Sequence, residues 1–108
     1  MDNWIDNFQK AVHNNSVNHD FWEDGIDDYI ICTKLALIHS EVTEILEAIR
    51  KEQGIDQIES EFADVLIRLL DLYQAMQDAG MVKRPLSEVA SMKHEVNTGR
   101  APKHDRRF

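Results

Sequence analysis

In the run Ile31-Cys32-Thr33-Lys34-Leu35-Ala36-Leu37-Ile38-His39-Ser40-Glu41-Val42-Thr43-Glu44-Ile45-Leu46-Glu47-Ala48-Ile49, the residues Ile31, Leu35, Ile38, Val42, Ile45 and Ile49 recur by alternating steps of four and three. That stepping is the stripe of a helix packed along a bundle seam. It predicts a helix over about 28–52. Phe62, Leu66, Leu69, Tyr73 and Met76 repeat it, predicting a second long helix over about 57–79, with Gly54 in the intervening turn and Gly80 as the stop. Trp4, Ile5, Phe8, Ala11 and Val12 predict an earlier helix over 3–14, broken by the polar run 14–18. Residues 19–28, acidic and holding Gly25, read as a loop, and Pro85 to Gly99 as a shorter last helix. No segment alternates with a period of two. The fold class is therefore all-α: one domain over 1–99, a bundle of about four helices, and a basic tail over 100–108.

The chain has 108 residues and a net charge of -8, which disfavours a polyanion such as duplex DNA. Residues 83–108 carry seven basic and three acidic side chains, a balance of +4, so the preceding part carries -12. A lone cysteine, Cys32, rules out an intramolecular disulfide and fits a reducing cytoplasm. The start, Met1-Asp2-Asn3-Trp4, lacks the basic flank and apolar run of a signal peptide, and no stretch is apolar for the ~20 residues of a membrane span.

Glu41 and Glu44 are neighbours on one helical face, and Glu61 and Asp64 repeat the spacing on the next helix. In an antiparallel hairpin, residues equidistant from the turn lie level, and the pairs 41/64 and 44/61 share the midpoint 52.5, beside Gly54. At 100° per residue Glu41 lies about 80° and Glu44 about 140° from the seam, on a flank shared with Ile30, Leu37 and Ala48, while Glu47 falls on the water-facing side. Two readings fit the spacing: solvated acids on an amphipathic surface, or a cation site. Carboxylates about 5 Å apart repel by roughly 3 kcal/mol per pair at an effective dielectric of about 20, so the level register favours a cation. An all-oxygen donor set suits a hard ion, Mg²⁺ or Mn²⁺, and the lack of a Glu-x-x-His pair argues against a di-iron bundle. Arg68, four residues after Asp64, reads first as a bridge from Asp64 to Asp71, with a phosphate contact as the other reading. Lys34 lies on the carboxylate side of its helix and could meet acids or phosphate. His39 reads as a packing residue.

The double motif Glu41-Val-Thr-Glu44 and Glu61-Phe-Ala-Asp64, with its flanking leucines, resembles the MazG-type branch of the all-α nucleoside triphosphate pyrophosphohydrolases. Lys93, Asn97, Arg100 and His104 are similar to the tail of short phage and mobile-element members, although Asp105 stands where a Gly often follows that His. The resemblance implies hydrolysis of a (d)NTP to monophosphate and pyrophosphate, with Mg²⁺ on Glu41, Glu44, Glu61 and Asp64. It also implies a homodimer or a dimer of dimers that completes the helical core. Glu41 and Glu44 are the catalytic candidates, Glu44 as the base that takes a proton from water. No Gly-rich phosphate loop is present, so Lys34, Lys93, Asn97 and Arg100 are the candidate phosphate or sugar contacts. An aromatic and a His before the first motif contact the base in related proteins, which singles out Trp22 and His13; core packing is the other reading for Trp22. The rivals are a dUTP-selective or phosphoribosyl-ATP pyrophosphohydrolase of the same superfamily, and a non-catalytic acidic interaction module.

Overall fold

The computed structural model describes residues 3–99; Arg100 and the expected basic tail lie outside the described residues. The chain forms four helices, α1 Trp4–Asn18, α2 Asp28–Arg50, α3 Ile55–Asp78 and α4 Leu86–Thr98, with no strand among the described residues. The Asn3 side chain caps α1 by accepting the Ile5 N–H (3.0 Å), and Asp27 caps α2 by accepting the Ile30 N–H (2.8 Å), each satisfying a donor that the first turn leaves free. The turn between α2 and α3 needs a positive φ of 98° at Gly54, and the α3 exit needs 75° at Gly80. Behind Gly80 the Met81 N–H returns to the Met76 carbonyl (2.9 Å), a wrap that ends the helix. Pro85, expected within the first turn of α4, stands just before it.

α3 is the centre of the structure: α2 packs along one side of it and α1 along another, while α4 rests on α1. The core is small, with Ile31, Ala48, Leu70, Leu72 and Ala75 buried. Its polar part is a ladder in which Gln9 Nε2 donates to Gln74 Oε1 (3.0 Å) and Gln74 Nε2 donates on to Asp78 Oδ1 (2.8 Å). A shared amide ladder of this kind keeps buried polar groups paired across the α1–α3 interface. The Ser87 hydroxyl, donating to Asp6 (2.6 Å), ties α4 to α1.

Two sequence expectations are corrected. The polar run 14–18 does not break α1, which continues to Asn18 because Ser16 is buried towards α3 and this packing outweighs weak local propensity. The seam expected on α2 is covered only in part. Ile31 is buried and Ile38 and Ile45 are half-buried, whereas Leu35, Val42 and Ile49 remain exposed, as do Phe62, Leu66 and Leu69 on α3. A single neighbouring helix covers one stripe, and these helices are apolar over a wider arc.

Candidate active site

α2 and α3 run as an antiparallel hairpin about Gly54 and bring carboxylates from the two helices together. One oxygen each from Glu41, Glu61 and Asp64 lies within 4.8 Å of the others. Glu41 and Glu61 are half-buried and Asp64 is exposed. Glu44 is exposed and is not in this group, so three of the four acids expected at one level converge. The midpoint rule places residues along the helix axes only. One turn further along α2, the Glu44 side chain stands in solvent, while Glu47, expected on the outer face, is half-buried beside Arg50 (3.6 Å) and Lys51 (3.7 Å).

The counter-charge also differs from expectation. Arg68 Nε lies 3.1 Å from Glu41 Oε1, across the helix pair, instead of bridging Asp64 and Asp71 along its own helix. Gln57 Nε2 donates to Glu61 Oε1 (2.6 Å). A guanidinium and an amide thus offset part of the repulsion within the cluster.

Three cavities open from this region along α3. The first, of about 150 Å³, has Asp64, Arg68, Asp71, Ser16 and Phe21 in its wall. The second, of about 230 Å³, shares Phe21, Arg68 and Asp71 with it and adds Trp22, Lys34 and Leu37. The third, of about 290 Å³, lies on the other side of Trp22, against His13, Gly25, Ile26, Ala75 and Asp78. A path of shared walls therefore leads from the carboxylates, past two cations, to an aromatic and a histidine.

Trp22 and His13 share one carboxylate at the far end of that path. Trp22 Nε1 donates to Asp71 Oδ1 (2.9 Å), His13 Nδ1 meets the same oxygen (2.7 Å), and the two rings stand edge to face with centroids 5.7 Å apart. The Lys34 ammonium donates to the Phe21 carbonyl (2.9 Å) and sits 4.6 Å from the Trp22 ring centroid, a cation–π contact that fixes the 19–27 loop on α2. Lys34 therefore faces the aromatic loop, with no bond to the acids. Lys93 and Asn97 are exposed one turn apart on α4 and are not part of the three cavity walls. Asp71 was not expected in the site, and Arg68 was expected first as an ion-pair partner along its own helix, with phosphate as its other reading. Their partners lie on other elements, where spacing carries no signal.

An all-α chain with a hairpin-borne carboxylate cluster opening on a cationic and aromatic groove defines the class. A family model described as the MazG nucleotide pyrophosphohydrolase domain matches residues 32–103, and the chain belongs to that family. Nucleotide pyrophosphohydrolysis is thus its general chemistry. Comparison with curated proteins and with solved structures gives no match.

Proposed function

We propose that the chain hydrolyses (deoxy)nucleoside triphosphates to monophosphate and pyrophosphate, with Mg²⁺, or Mn²⁺ in its place, held by Glu41, Glu61 and Asp64. The observation that carries this reading is the convergence of those three oxygens within 4.8 Å. Oxygen-only donors gathered within 4.8 Å of one another suit such a hard ion. When bound, Mg²⁺ neutralises phosphate charge and acidifies a ligand water.

The side chains have separable tasks. Glu44, one turn from Glu41 and exposed, is placed to bind at the rim or to accept the proton of the attacking water. Arg68, once Glu41 is drawn to the cation, is free to turn to the phosphates, and Lys34 adds a second positive charge beside the groove. The base lies at the Trp22 and His13 end, where an aromatic face offers stacking. Lys93 and Asn97, with Arg100 beyond the described residues, act as phosphate or sugar contacts, and their exposure on α4 suits contact from a neighbouring copy.

That copy forms a homodimer or a dimer of dimers. Leu46 at 52%, Ile49 at 53% and Phe62 at 58% exposure leave an apolar band along the α2–α3 hairpin that a second hairpin would cover. The enzyme works in the cytoplasm, as its single Cys32 suits, and no helix among the described residues is long and apolar enough to cross a membrane. It takes no nucleic acid, in keeping with a net charge of -8.

The test is pyrophosphate release from a panel of nucleotides with and without Mg²⁺. Release is expected only with the cation, and Glu41→Gln or Asp64→Asn is expected to abolish it with helicity unchanged. No release from any nucleotide, or undiminished release by both variants, refutes the reading.

A further inference from the structure

Ser16, on the side of α1 that packs against α3, is 5% exposed, and its hydroxyl oxygen is buried without a hydrogen-bond partner among the described residues. Two other hydroxyls on helices return to the carbonyl four residues back, Thr33 to Tyr29 (3.0 Å) and Thr43 to His39 (3.2 Å). Ser16 makes no such bond to Val12, so its hydroxyl keeps both a donor and an acceptor unspent. Buried polar groups are costly to leave in that condition. Ser16 lines the cavity of about 150 Å³, whose other polar walls are Asn15, Asp64, Arg68 and Asp71, and Phe21 gives that cavity an apolar wall.

We infer that this cavity takes the pentose of the nucleotide, and that Ser16 is a specificity-determining residue whose hydroxyl pairs with the sugar 3′-hydroxyl. This rests on the reading that phosphates lie at the carboxylates and the base beyond them along α3. Asp64 joins the cavity to the carboxylate cluster, and Phe21, Arg68 and Asp71 are shared with the next cavity, which reaches Trp22. A sugar between phosphate and base falls at that junction. The chemistry of the walls agrees with the placement. A hydroxyl donates and accepts at once, and a set that holds a hydroxyl, an amide, two carboxylates and a guanidinium offers partners for both. The C–H face of a furanose suits the Phe21 ring. Ribonucleotides and deoxyribonucleotides both carry the 3′-hydroxyl, so either substrate would satisfy the buried group. An analogue without it leaves Ser16 unpaired, a loss that a hydrogen-bonding site penalises.

The experiment removes the sugar hydroxyls one at a time. The whole chain with Mg²⁺ is titrated by calorimetry with adenosine and cytidine monophosphates, each in its ribo, 2′-deoxy and 3′-deoxy form. The wild type is expected to bind the 3′-deoxy form about tenfold more weakly than the ribo form, the scale of one lost hydrogen bond at a buried group. In Ser16→Ala the ribo and 2′-deoxy forms are both expected to weaken about tenfold, and the 3′-deoxy form by less than about twofold, because the two deletions remove one interaction. Without ligand, Ser16→Ala is expected to lower Tm by no more than about 2 °C, since no protein hydrogen bond is lost. Ser16→Cys keeps a weak donor and is expected to fall between the two; it is the variant to use if the alanine does not fold. A wild type that binds the 3′-deoxy and ribo forms alike overturns the inference. So does a Ser16→Ala chain that weakens all three forms equally, which marks Ser16 as packing or as the holder of a water, and so does an absence of binding by every monophosphate. If the Ser16-dependent 3′ discrimination is found and no triphosphate releases pyrophosphate, the inference stands and the proposed activity falls. If ribo and 3′-deoxy triphosphates release pyrophosphate with equal kcat/KM, the activity stands and the inference alone falls.

Discussion

Replacing Arg68 with Met tests whether a side-chain cation and a metal compete for the same carboxylate. Two unit charges at the 4.8 Å that bounds the Glu41, Glu61 and Asp64 oxygens repel by about 3.5 kcal/mol at an effective dielectric of about 20. Exposure of Asp64 weakens this towards about 1–2 kcal/mol per pair. Arg68 offsets it from 3.1 Å, but with its side chain 49% exposed the ion pair is worth about 1 kcal/mol after solvent screening. Met keeps the aliphatic stem, so Arg68→Met is expected to lower Tm without added cation by about 4–8 °C. Since the guanidinium must leave Glu41 before a divalent ion can take it, the same substitution is expected to tighten Mg²⁺ binding by about fivefold, the equivalent of that ~1 kcal/mol. At a Mg²⁺ concentration about ten times the wild-type Kd, linkage gives the wild type about 1.4 kcal/mol and the variant about 2.3 kcal/mol. The variant should therefore gain about one and a half times as many degrees on adding Mg²⁺. Thermal unfolding followed by circular dichroism, across a Mg²⁺ titration, reads both numbers. Equal increments in the two proteins would show that Arg68 and the cation do not share Glu41, and the reasoning fails.

Three further outcomes follow from single features of the structure. Glu41→Gln is expected to remove the Mg²⁺-dependent rise in Tm entirely, whereas Glu44→Gln, outside the converging group, is expected to keep at least half of it while lowering pyrophosphate release; equal loss of the rise would make Glu44 a full ligand. Gly54→Ala places a Cβ in open space but at a φ of 98°, so it isolates backbone strain of about 1–2 kcal/mol. Urea unfolding is expected to show a lower midpoint with an unchanged slope, and an unchanged midpoint would deny that the turn needs glycine. Ile49→Lys, on the exposed apolar band of α2, is expected to shift the chain from dimer to monomer in sedimentation velocity without loss of helicity; a wild-type chain that sediments as a monomer at tens of micromolar removes the dimer from the proposal.

The helices were legible because burial imposes a period on them. The stepping of Ile31, Ile38 and Ile45 predicted α2 to within about two residues at each end, and Gly54 and Gly80 marked turns that do adopt positive φ. What local spacing could not reveal is set by packing between distant parts of the chain. Ser16 reads as a helix breaker on propensity and is helical because α3 covers it. Asp71 and Arg68 looked like members of one helix's charge pattern, yet Asp71 holds His13 and Trp22, 58 and 49 residues away, and Arg68 pairs across to Glu41. Glu44 shows the same limit from the other side: it is exposed and outside the converging group, and the direction of its side chain was not contained in the spacing.

The half-covered seam links stability to the site. Leu35, Val42 and Ile49 follow the same seven-residue rhythm as the inward Ile31, Ile38 and Ile45, offset by four positions, so α2 carries two apolar stripes of comparable length. α3 covers one of them. Glu41 is half-buried and holds Arg68 from the partner helix, and Glu44 is exposed among the uncovered residues Val42 and Leu46. A partner laid on the second stripe would remove water from the surroundings of Glu44, raise the cost of leaving its charge unpaired, and draw it towards the cation held by Glu41, Glu61 and Asp64. Assembly and metal binding should therefore strengthen each other. The Kd for dimerisation, measured by sedimentation with and without Mg²⁺, is expected to fall with the cation in the wild type and to stay fixed in Glu44→Gln. A dimer whose affinity ignores Mg²⁺ in both proteins would leave Glu44 in solvent and separate the two halves of the proposal.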